Sequence, residues 1–565
     1  MSKQKVIQAL DAASSRRSIK YAVYLVAIIL FFALILLPPI LGIVIHFTAI
    51  QVILNNPALE NRALTAIANS FMIALFVAAI DLIAGIPMAW LIARKRSRWL
   101  STLDTLSDIP FIVPTAVLGY SLLLFWNSPS GISALFTGSL ISTGWLLVIL
   151  LHFAFSFPVV VRVVVGALLD YKREFENASR TLGAPPFTAS RTVTFPIIKP
   201  SLIAAFILAF SRSVSETGAT FIVAGAFENG SIFLQNIKNT AWSFRQIRGI
   251  FGSTNPTFYG AIVFASFILI AVSVSIFLVV RTLGPRLKLP VNRIWPSFER
   301  KLSYSKAESS RNTATLAVFL AIVLIPSLFV ALPAFQAIFT NTLSESLLGK
   351  GIWASYWHGL VLSYGLAAIV TVLNIIIGLP MAIAIARKKF GNVSSGILDV
   401  LVNIPLVVPS IALGFSLAIF WNTFTSIPQL LLLIFAHLTI TYPYFVRSMS
   451  AAVERISIDM EEASRTLGAK PLGVFRTIIL PLTKYSIFSG AVLVFTRSLS
   501  ETGATMAVAS TLKTVPLVLV NWIRPPPSQP AASPLQIGLG SGYLILLSFV
   551  ILLASRLIVK GKGRY

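Results

Sequence analysis

The chain has 565 residues, of which 56% are hydrophobic and only 11% charged, and its mean hydropathy is +0.85. Soluble domains carry about 25% charged residues, so these figures exclude a chain folded entirely in water and also an intrinsically disordered one. With no cysteine and only four histidines, the sequence predicts neither disulfides nor a metal site. The formal net charge of +26 comes from basic residues between long apolar runs, which predicts a multi-pass protein in membrane lipid and no nucleic-acid partner.

A helix that crosses a bilayer needs about 20 apolar residues, and twelve such runs follow one another along the chain. We therefore predict an all-α integral membrane protein with about 12 transmembrane helices. The third run of each half is short and begins with prolines. The first half contributes runs 21–47, 64–93, 109–126, 145–169, 201–225 and 258–280. The second half contributes runs 314–339, 360–386, 404–421, 430–453, 486–509 and 537–559.

Lysine and arginine predict the side of the membrane on which each loop lies, because cytoplasmic loops carry an excess of them. The basic segments are the N-terminus, the loop of residues 94–98, the central stretch 281–311 and the C-terminal tail. The alternate loops are poor in basic residues. The predicted location is the cell membrane, with both termini in the cytoplasm.

The chain contains one six-span unit written twice. Residues 178–184 recur letter for letter at 463–469, and residues 215–220 recur at 500–505. Because six spans is an even number, both copies have the same topology and form tandem parallel repeats related by an axis along the membrane normal. The predicted domains are a first six-span unit over 1–280, a basic cytoplasmic linker over 281–313 and a second six-span unit over 314–565.

The loop after the fourth span of each half, residues 170–199 and 455–484, has the pattern of a helix–turn–helix. Gly183 and Gly468 are expected to end the first helix, because glycine adopts the left-handed conformation without a Cβ clash. In the first copy we predict a short second helix over 187–194, before a proline opens the next span. Identical polar residues in both copies favour docking into a groove of another protein over a simple connection between spans.

Small residues, then a glycine and, thirteen positions later, a proline resemble the EAA loop of binding-protein-dependent ABC importer permeases. The resemblance covers nearly the whole chain, one permease domain per half, and implies the type I importer (MetI-like) fold. It also implies that each loop is a coupling helix held in a cleft of the ATP-hydrolysing subunit. The first copy departs from the family pattern where an acidic residue is expected. The implied coupling residues are Asn177, Ala178, Ser179, Gly183, Glu462, Ala463, Ser464 and Gly468.

The chain itself is predicted not to be an enzyme and to hold no cofactor. It lacks the Gly-x-x-x-x-Gly-Lys-Ser/Thr loop that cradles nucleotide phosphates. The resemblance therefore implies that ATP and Mg are bound by a separate ATPase subunit, present in two copies because there are two coupling loops. It also implies an extracytoplasmic binding protein that delivers solute, and transport by alternating access.

Four charged residues lie inside the predicted fifth spans. Arg212 and Glu216 are four residues apart, so they are expected to pair on one helical face, and Arg497 and Glu501 repeat the arrangement. Intramembrane charges favour a translocation path or gate over a purely structural clamp. The adjacent glycines of the two copies, Gly218 and Gly503, would allow a close helix approach or an unwound turn.

Three further polar positions lie within spans. His152 and His437 each precede a proline by six residues, which favours a buried neutral imidazole bonded to a carbonyl that the proline has freed. Asp81 is matched by Asn374 in the second half, and we predict polar contacts between helices at both positions.

The substrate stays open at the level of sequence. The fusion of two permease domains resembles iron(III) and thiamine importers, whereas the Ser-Glu-Thr-Gly-Ala-Thr segments resemble sulfate, molybdate and tungstate permeases. The expectation leans to iron(III) or another small ion. The alternative function is a secondary transporter of twelve helices, although residues 93–99 lack the Gly…Asp-Arg pattern of the major facilitator group.

Overall fold

The computed structural model describes residues 16–94, 103, 106–107, 110, 113–136, 138–241, 256–286, 296–424, 427–526 and 531–560. Secondary structure in these residues is helical throughout, as predicted from the apolar runs. Residues 95–98 of the predicted basic loop, most of 109–112 and residues 287–295 of the predicted linker lie outside the described ranges.

Among the described residues, ten helices are long and apolar enough to cross a membrane, and one bent helix pair would make eleven. The first half contains α1 Tyr21–Ile45, α2 Pro57–Arg94, α3 Thr115–Trp126, α4 Trp145–Asp170, α5 Glu174–Thr181, α6 Pro186–Ser215, α7 Gly218–Val223, α8 Gly230–Ala241 and α9 Pro256–Leu283. A linker helix, α10 Pro296–Leu302, follows. The second half contains α11 Ser305–Ile338, α12 Ile352–Ala386, α13 Asn392–Val407, α14 Ser410–Phe424, α15 Gln429–Glu454, α16 Ile458–Thr466, α17 Pro471–Leu499, α18 Gly503–Val508, α19 Val515–Ile523 and α20 Pro534–Lys560.

The third predicted span is not a simple crossing helix in either half. In the first half it is represented by the twelve-residue helix α3, which begins after Pro114. In the second half α13 and α14 meet at an angle of 105°. The break falls at Val408, whose backbone is extended, because the ring of Pro409 disfavours helical geometry in the residue before it.

The fifth span starts earlier and ends earlier than the sequence predicts. Helix α6 runs without interruption from Pro186, so the short second helix expected over 187–194 is part of the span itself. The π-helical turn Ser190–Thr194 precedes Pro196, which lies inside the helix and does not open it. The helix ends at Ser215 and not near residue 225, since the chain unwinds there before α7 begins.

The first helix of each half packs against helices of the other half. Helix α1 packs on α12, α14 and α15, and α11 packs on α2, α3 and α4. A Cβ added to Gly42 of α1 would lie 2.0 Å from the carbonyl oxygen of Ser416, so only glycine permits this approach. On the other side, the Ser121 hydroxyl donates to the Pro326 carbonyl at 2.7 Å. The two repeats therefore form one interlocked body.

The linker helix α10 rests on the start of α6. Glu299 is buried and accepts a hydrogen bond from the Thr188 hydroxyl at 2.6 Å, and it pairs with Arg191 at 3.0 Å. Helices α9 and α11 extend into both ends of the stretch 281–313 that the sequence assigns to the linker. The exact domain boundaries stay a prediction.

Candidate coupling and gating sites

The two predicted coupling loops form short helices at the same end of the molecule. Helix α5 carries Asn177 and Ala178 exposed and Ser179 half-buried, and α16 presents Glu462, Ala463 and Ser464 in the same way. The residue that follows each helix is apolar and almost fully exposed, at 90% for Leu182 and 88% for Leu467. An apolar tip beside small residues is suited to burial against another protein.

Both coupling helices end in the turn predicted from their glycines. Gly183 and Gly468 have the same positive φ of 88°, which a residue with a Cβ adopts only at a cost. The Gly183 amide donates to the Arg180 carbonyl at 3.0 Å, and the Ala184 amide donates to the Ser179 carbonyl at 3.1 Å. This is the Schellman arrangement, and the second copy has the same bonds after α16.

A buried ion pair ties each coupling helix to the second span of its half, and the sequence analysis missed it. Arg94 at the end of α2 contacts Glu176 at 2.5 Å, and Arg387 just after α12 contacts Glu461 at 2.7 Å. The side chains of Arg387 and Glu461 are only 6% and 5% exposed. The signal was present, because both members of the pair recur in the second half at the offsets of their neighbouring repeats.

The repeated Ser-Glu-Thr-Gly-Ala-Thr segments join α6 to α7 and α17 to α18, and in each of them the chain is unwound only between the two helices, at residues 216–217 and 500–502. The prediction that Arg and Glu share one helical face is therefore wrong, since Glu216 and Glu501 lie past the last helical residue. Each glutamate instead caps the next short helix. The Glu216 carboxylate accepts from the Ala219 amide at 3.0 Å, and the Glu501 carboxylate accepts from the Ala504 amide at 2.9 Å.

The two intramembrane arginines have different surroundings. Arg497 pairs with Glu501 at 2.6 Å, as expected. Arg212 donates from its Nε to the Phe155 carbonyl at 3.2 Å and lies over the Phe155 ring. The expected Arg–Glu pair is therefore present in the second half, and in the first half Arg212 also contacts the fourth span through Phe155.

The two glycines bring the halves into contact at this level. A Cβ added to Gly218 would lie 2.3 Å from the Thr502 hydroxyl oxygen, and one added to Gly503 would lie 2.8 Å from that of Thr217. The Ser410 hydroxyl also donates across the seam to the Ser215 carbonyl at 3.1 Å. The close approach and the unwound turn predicted from the glycines are both confirmed.

The two histidines are buried as predicted, but the predicted partner is wrong. His152 bonds through Nδ1 to the Ser213 hydroxyl at 2.7 Å and through Nε2 to the Thr220 hydroxyl at 2.8 Å. His437 makes the same two bonds, to Ser498 and Thr505, each at 2.9 Å. The imidazole thus bridges the fifth span to the short helix beyond its unwound end, and no proline-freed carbonyl is involved.

The predicted polar contacts of Asp81 and Asn374 are confirmed. Asp81 of α2 accepts a hydrogen bond from Ser156 of α4. Asn374 of α12 donates to the Thr441 hydroxyl of α15 at 2.9 Å. Both residues are fully buried, so each joins the second and fourth spans of its half. Within the described residues, no group of three or more histidine, aspartate or glutamate side chains could hold a metal ion.

Comparison with known proteins adds two findings. Residues 85–289 and 374–560 match the family described as "Binding-protein-dependent transport system inner membrane component". The sulfate transport system permease protein CysT of Salmonella typhimurium is 34% identical over 219 residues, which are 38% of this chain and 79% of that protein. The molybdenum transport system permease protein ModB of Escherichia coli is 29% identical over 198 residues, 32% of this chain and 86% of that protein.

Proposed function

The chain belongs to the family of binding-protein-dependent transport system inner membrane components, and on that premise we propose that it imports a small tetrahedral oxyanion. As a member it is the membrane-embedded permease of an ABC importer, not the enzyme that hydrolyses ATP. The relatives named for sulfate and molybdenum transport support the oxyanion. These relatives do not support the substrate expected from the sequence, iron(III). The family match does not support the alternative function, a secondary transporter.

The coupling helices α5 and α16 are the proposed docking sites for two copies of an ATPase subunit, which would bind ATP and Mg. Their exposed small residues and the protruding Leu182 and Leu467 support this role. Because the buried Arg94–Glu176 and Arg387–Glu461 pairs fix each helix to its own half, movement of the ATPases would move whole halves. The end of the molecule that carries these helices would face the cytoplasm, as would both termini.

The seam around Gly218 and Gly503 is the proposed gate. Arg212, Glu216, Arg497 and Glu501 surround this point, and the halves touch there through glycine and threonine. In alternating access, ATP binding would separate the halves at this level and admit a solute from an external binding protein. The Thr217 hydroxyl is buried with no hydrogen-bond partner among the described residues, and it would then be available to the oxyanion.

The observation that carries the proposal is the pair of matching coupling helices in a chain with two family domains. Tagged protein purified in mild detergent should retain an ATPase subunit at about two copies per chain, measured by native mass spectrometry. Replacing both turn glycines, as Gly183→Val with Gly468→Val, should release the ATPase, because valine is strained at positive φ.

The matched control is Gly396→Val with Gly365→Val, two glycines whose added Cβ meets nothing within 4 Å and whose φ is not positive. This control should keep both ATPase copies. Purification of the wild-type chain without any ATPase, or release by the control as readily as by the turn variant, would contradict the docking role.

A further inference from the structure

A lysine of the first half caps a helix of the second half. The Lys238 ammonium, on α8, donates to the carbonyl oxygens of Met506, Ala507 and Ala509. These carbonyls stand at the end of α18, where a helix has no backbone donors left to satisfy its last turn. An ammonium has three donors, and here all of them are used on the opposite half.

The two halves differ in how the corresponding helices α7 and α18 are capped. The corresponding first-half helix, α7, has its end closed by its own half, because the Gly144 amide donates to the Val223 carbonyl at 3.1 Å. The second half offers no lysine at the repeat position, which is occupied by Ile523. Its neighbour Arg524 instead lies over the Phe221 ring of α7 at 5.5 Å. In the part of the chain that the structure describes, the end of α18 is thus capped by a side chain of the other half, whereas the end of α7 is capped by an amide of its own half.

This contact lies far from the coupling helices. Helix α6 leaves the first coupling turn and runs for 30 residues, about 45 Å at 1.5 Å per residue, before α7 and α8 follow. Helix α9 then returns towards the coupling end. At its start, α18 is joined to the Arg497–Glu501 pair through the Glu501 cap. Lys238 thus holds the far end of the segment that forms the seam.

We propose that Lys238 is a positioning residue that holds the seam closed at the end far from the coupling helices, and we call this contact the latch. The bonds of Lys238 to α18 are broken and remade in each transport cycle. The inference rests on the proposed alternating-access function. When the halves separate at this end, α18 loses the Lys238 ammonium that caps it, whereas α7 keeps the Gly144 amide of its own half. The latch therefore favours the closed gate and sets how readily ATP opens it. Burial lowers the pKa of Lys238 to about 7, while the carbonyl acceptors favour the protonated amine.

The test measures the gate directly. Because the chain has no cysteine, spin labels can be attached specifically at Asn239→Cys and Ser510→Cys in the purified chain, which is then assembled into the full complex with its ATPase and binding protein. Lys238→Met should raise the population of the longer label distance without nucleotide by at least about tenfold, since hydrogen bonds to a charged donor are lost. Lys238→Arg should stay close to wild type. The matched control is Lys350→Met, an exposed lysine between α11 and α12.

The outcomes separate the latch from the transport mechanism. A wild-type distance that ATP with vanadate does not change would overturn the alternating-access proposal. A wild-type distance that does change, with Lys238→Met identical to Lys350→Met, would overturn the latch alone. If Lys238→Met does not fold, the proposal is tested instead by the rate at which an amine-reactive reagent labels Lys238 in the wild-type chain. Lys238 should be protected without nucleotide and labelled at least about tenfold faster with ATP and vanadate, and equal labelling in both states would overturn the latch.

Discussion

At the scale of single residues, the seam between the halves depends on the absence of a side chain. Gly218→Ala should abolish ATP-driven uptake, because its Cβ would meet Thr502 at 2.3 Å and force the halves apart, at a cost of about 1–3 kcal/mol. Copurification of the ATPase should be unchanged. The control is Gly365→Ala on α12, where an added Cβ meets nothing within 4 Å. Uptake by Gly218→Ala equal to that of Gly365→Ala would show that the contact is not required.

The buried histidines offer a second prediction at this scale. His152→Ala leaves the Ser213 and Thr220 hydroxyls without their shared partner, so the free energy of unfolding should fall by about 1–3 kcal/mol. Thermal unfolding in detergent, followed by circular dichroism, measures the change. His358→Ala removes an exposed histidine and should leave the transition where it is. Equal transitions in the two variants would contradict a structural role for the imidazole bridge.

At the scale of elements, the ion pairs between coupling helices and second spans determine how rigidly each half moves. Glu461→Gln or Arg387→Met should lower stability by about 3–5 kcal/mol, because the first change leaves the buried Arg387 without its carboxylate and the second leaves the buried Glu461 with the more distant Arg465 alone, at 3.6 Å. The double variant Glu461→Met with Arg387→Met should recover most of this loss, since both charges are then gone. The stability of each single and double variant is measured by thermal unfolding, and its coupling to the ATPase by substrate-stimulated ATP hydrolysis.

The control for this cycle is Glu462→Gln, which changes the exposed neighbour on the same helix. It should leave stability unchanged, and any effect should fall on ATPase binding. Single variants no less stable than Glu462→Gln, or a double variant as unstable as the sum of the singles, would contradict the buried-pair account.

The bounds of the helices show which features could be predicted from the sequence and which could not. Apolar length located the spans, and the glycines at 183 and 468 located the coupling turns, because both signals are local. The unwound residues after Ser215 and Leu499 were not predicted as the ends of the fifth spans, because the apolar runs continue on both sides of these short polar stretches. Their shape depends on capping by Glu216 and Glu501 and on contact with the other half, which hydropathy does not record.

The candidate sites, too, could be predicted where the signal is local or repeated, and not where residues far apart in the chain meet. Repetition of the chain singled out the seam and the coupling residues, because copies can be compared within one sequence. The Arg387–Glu461 pair and the Lys238 contact join residues far apart in the chain, and the lysine has no repeated counterpart. Repetition marks the residues of the ion pair, but that they touch, like the Lys238 contact, is shown by the arrangement of the helices.

At the scale of the whole molecule, two family domains are fused, exchange their first helices and meet at one seam. The fused chain is not symmetric, however. Among the described residues, the linker helix α10 holds the first coupling region through Glu299 and Arg191, and Lys238 of the first half caps a helix of the second half although position 523 of the repeat carries isoleucine. We therefore expect the two halves to contribute unequally to opening, although both carry a complete coupling helix.

The measurement that tests the central claim most directly is uptake into proteoliposomes that contain the chain with its ATPase. Labelled sulfate and molybdate are supplied with the binding protein on one side and ATP on the other. The account predicts uptake that requires both proteins and ATP and that is reduced by competing oxyanions but not by iron(III). Uptake driven by an ion gradient without ATP, or ATP-driven uptake of iron(III) alone, would contradict it.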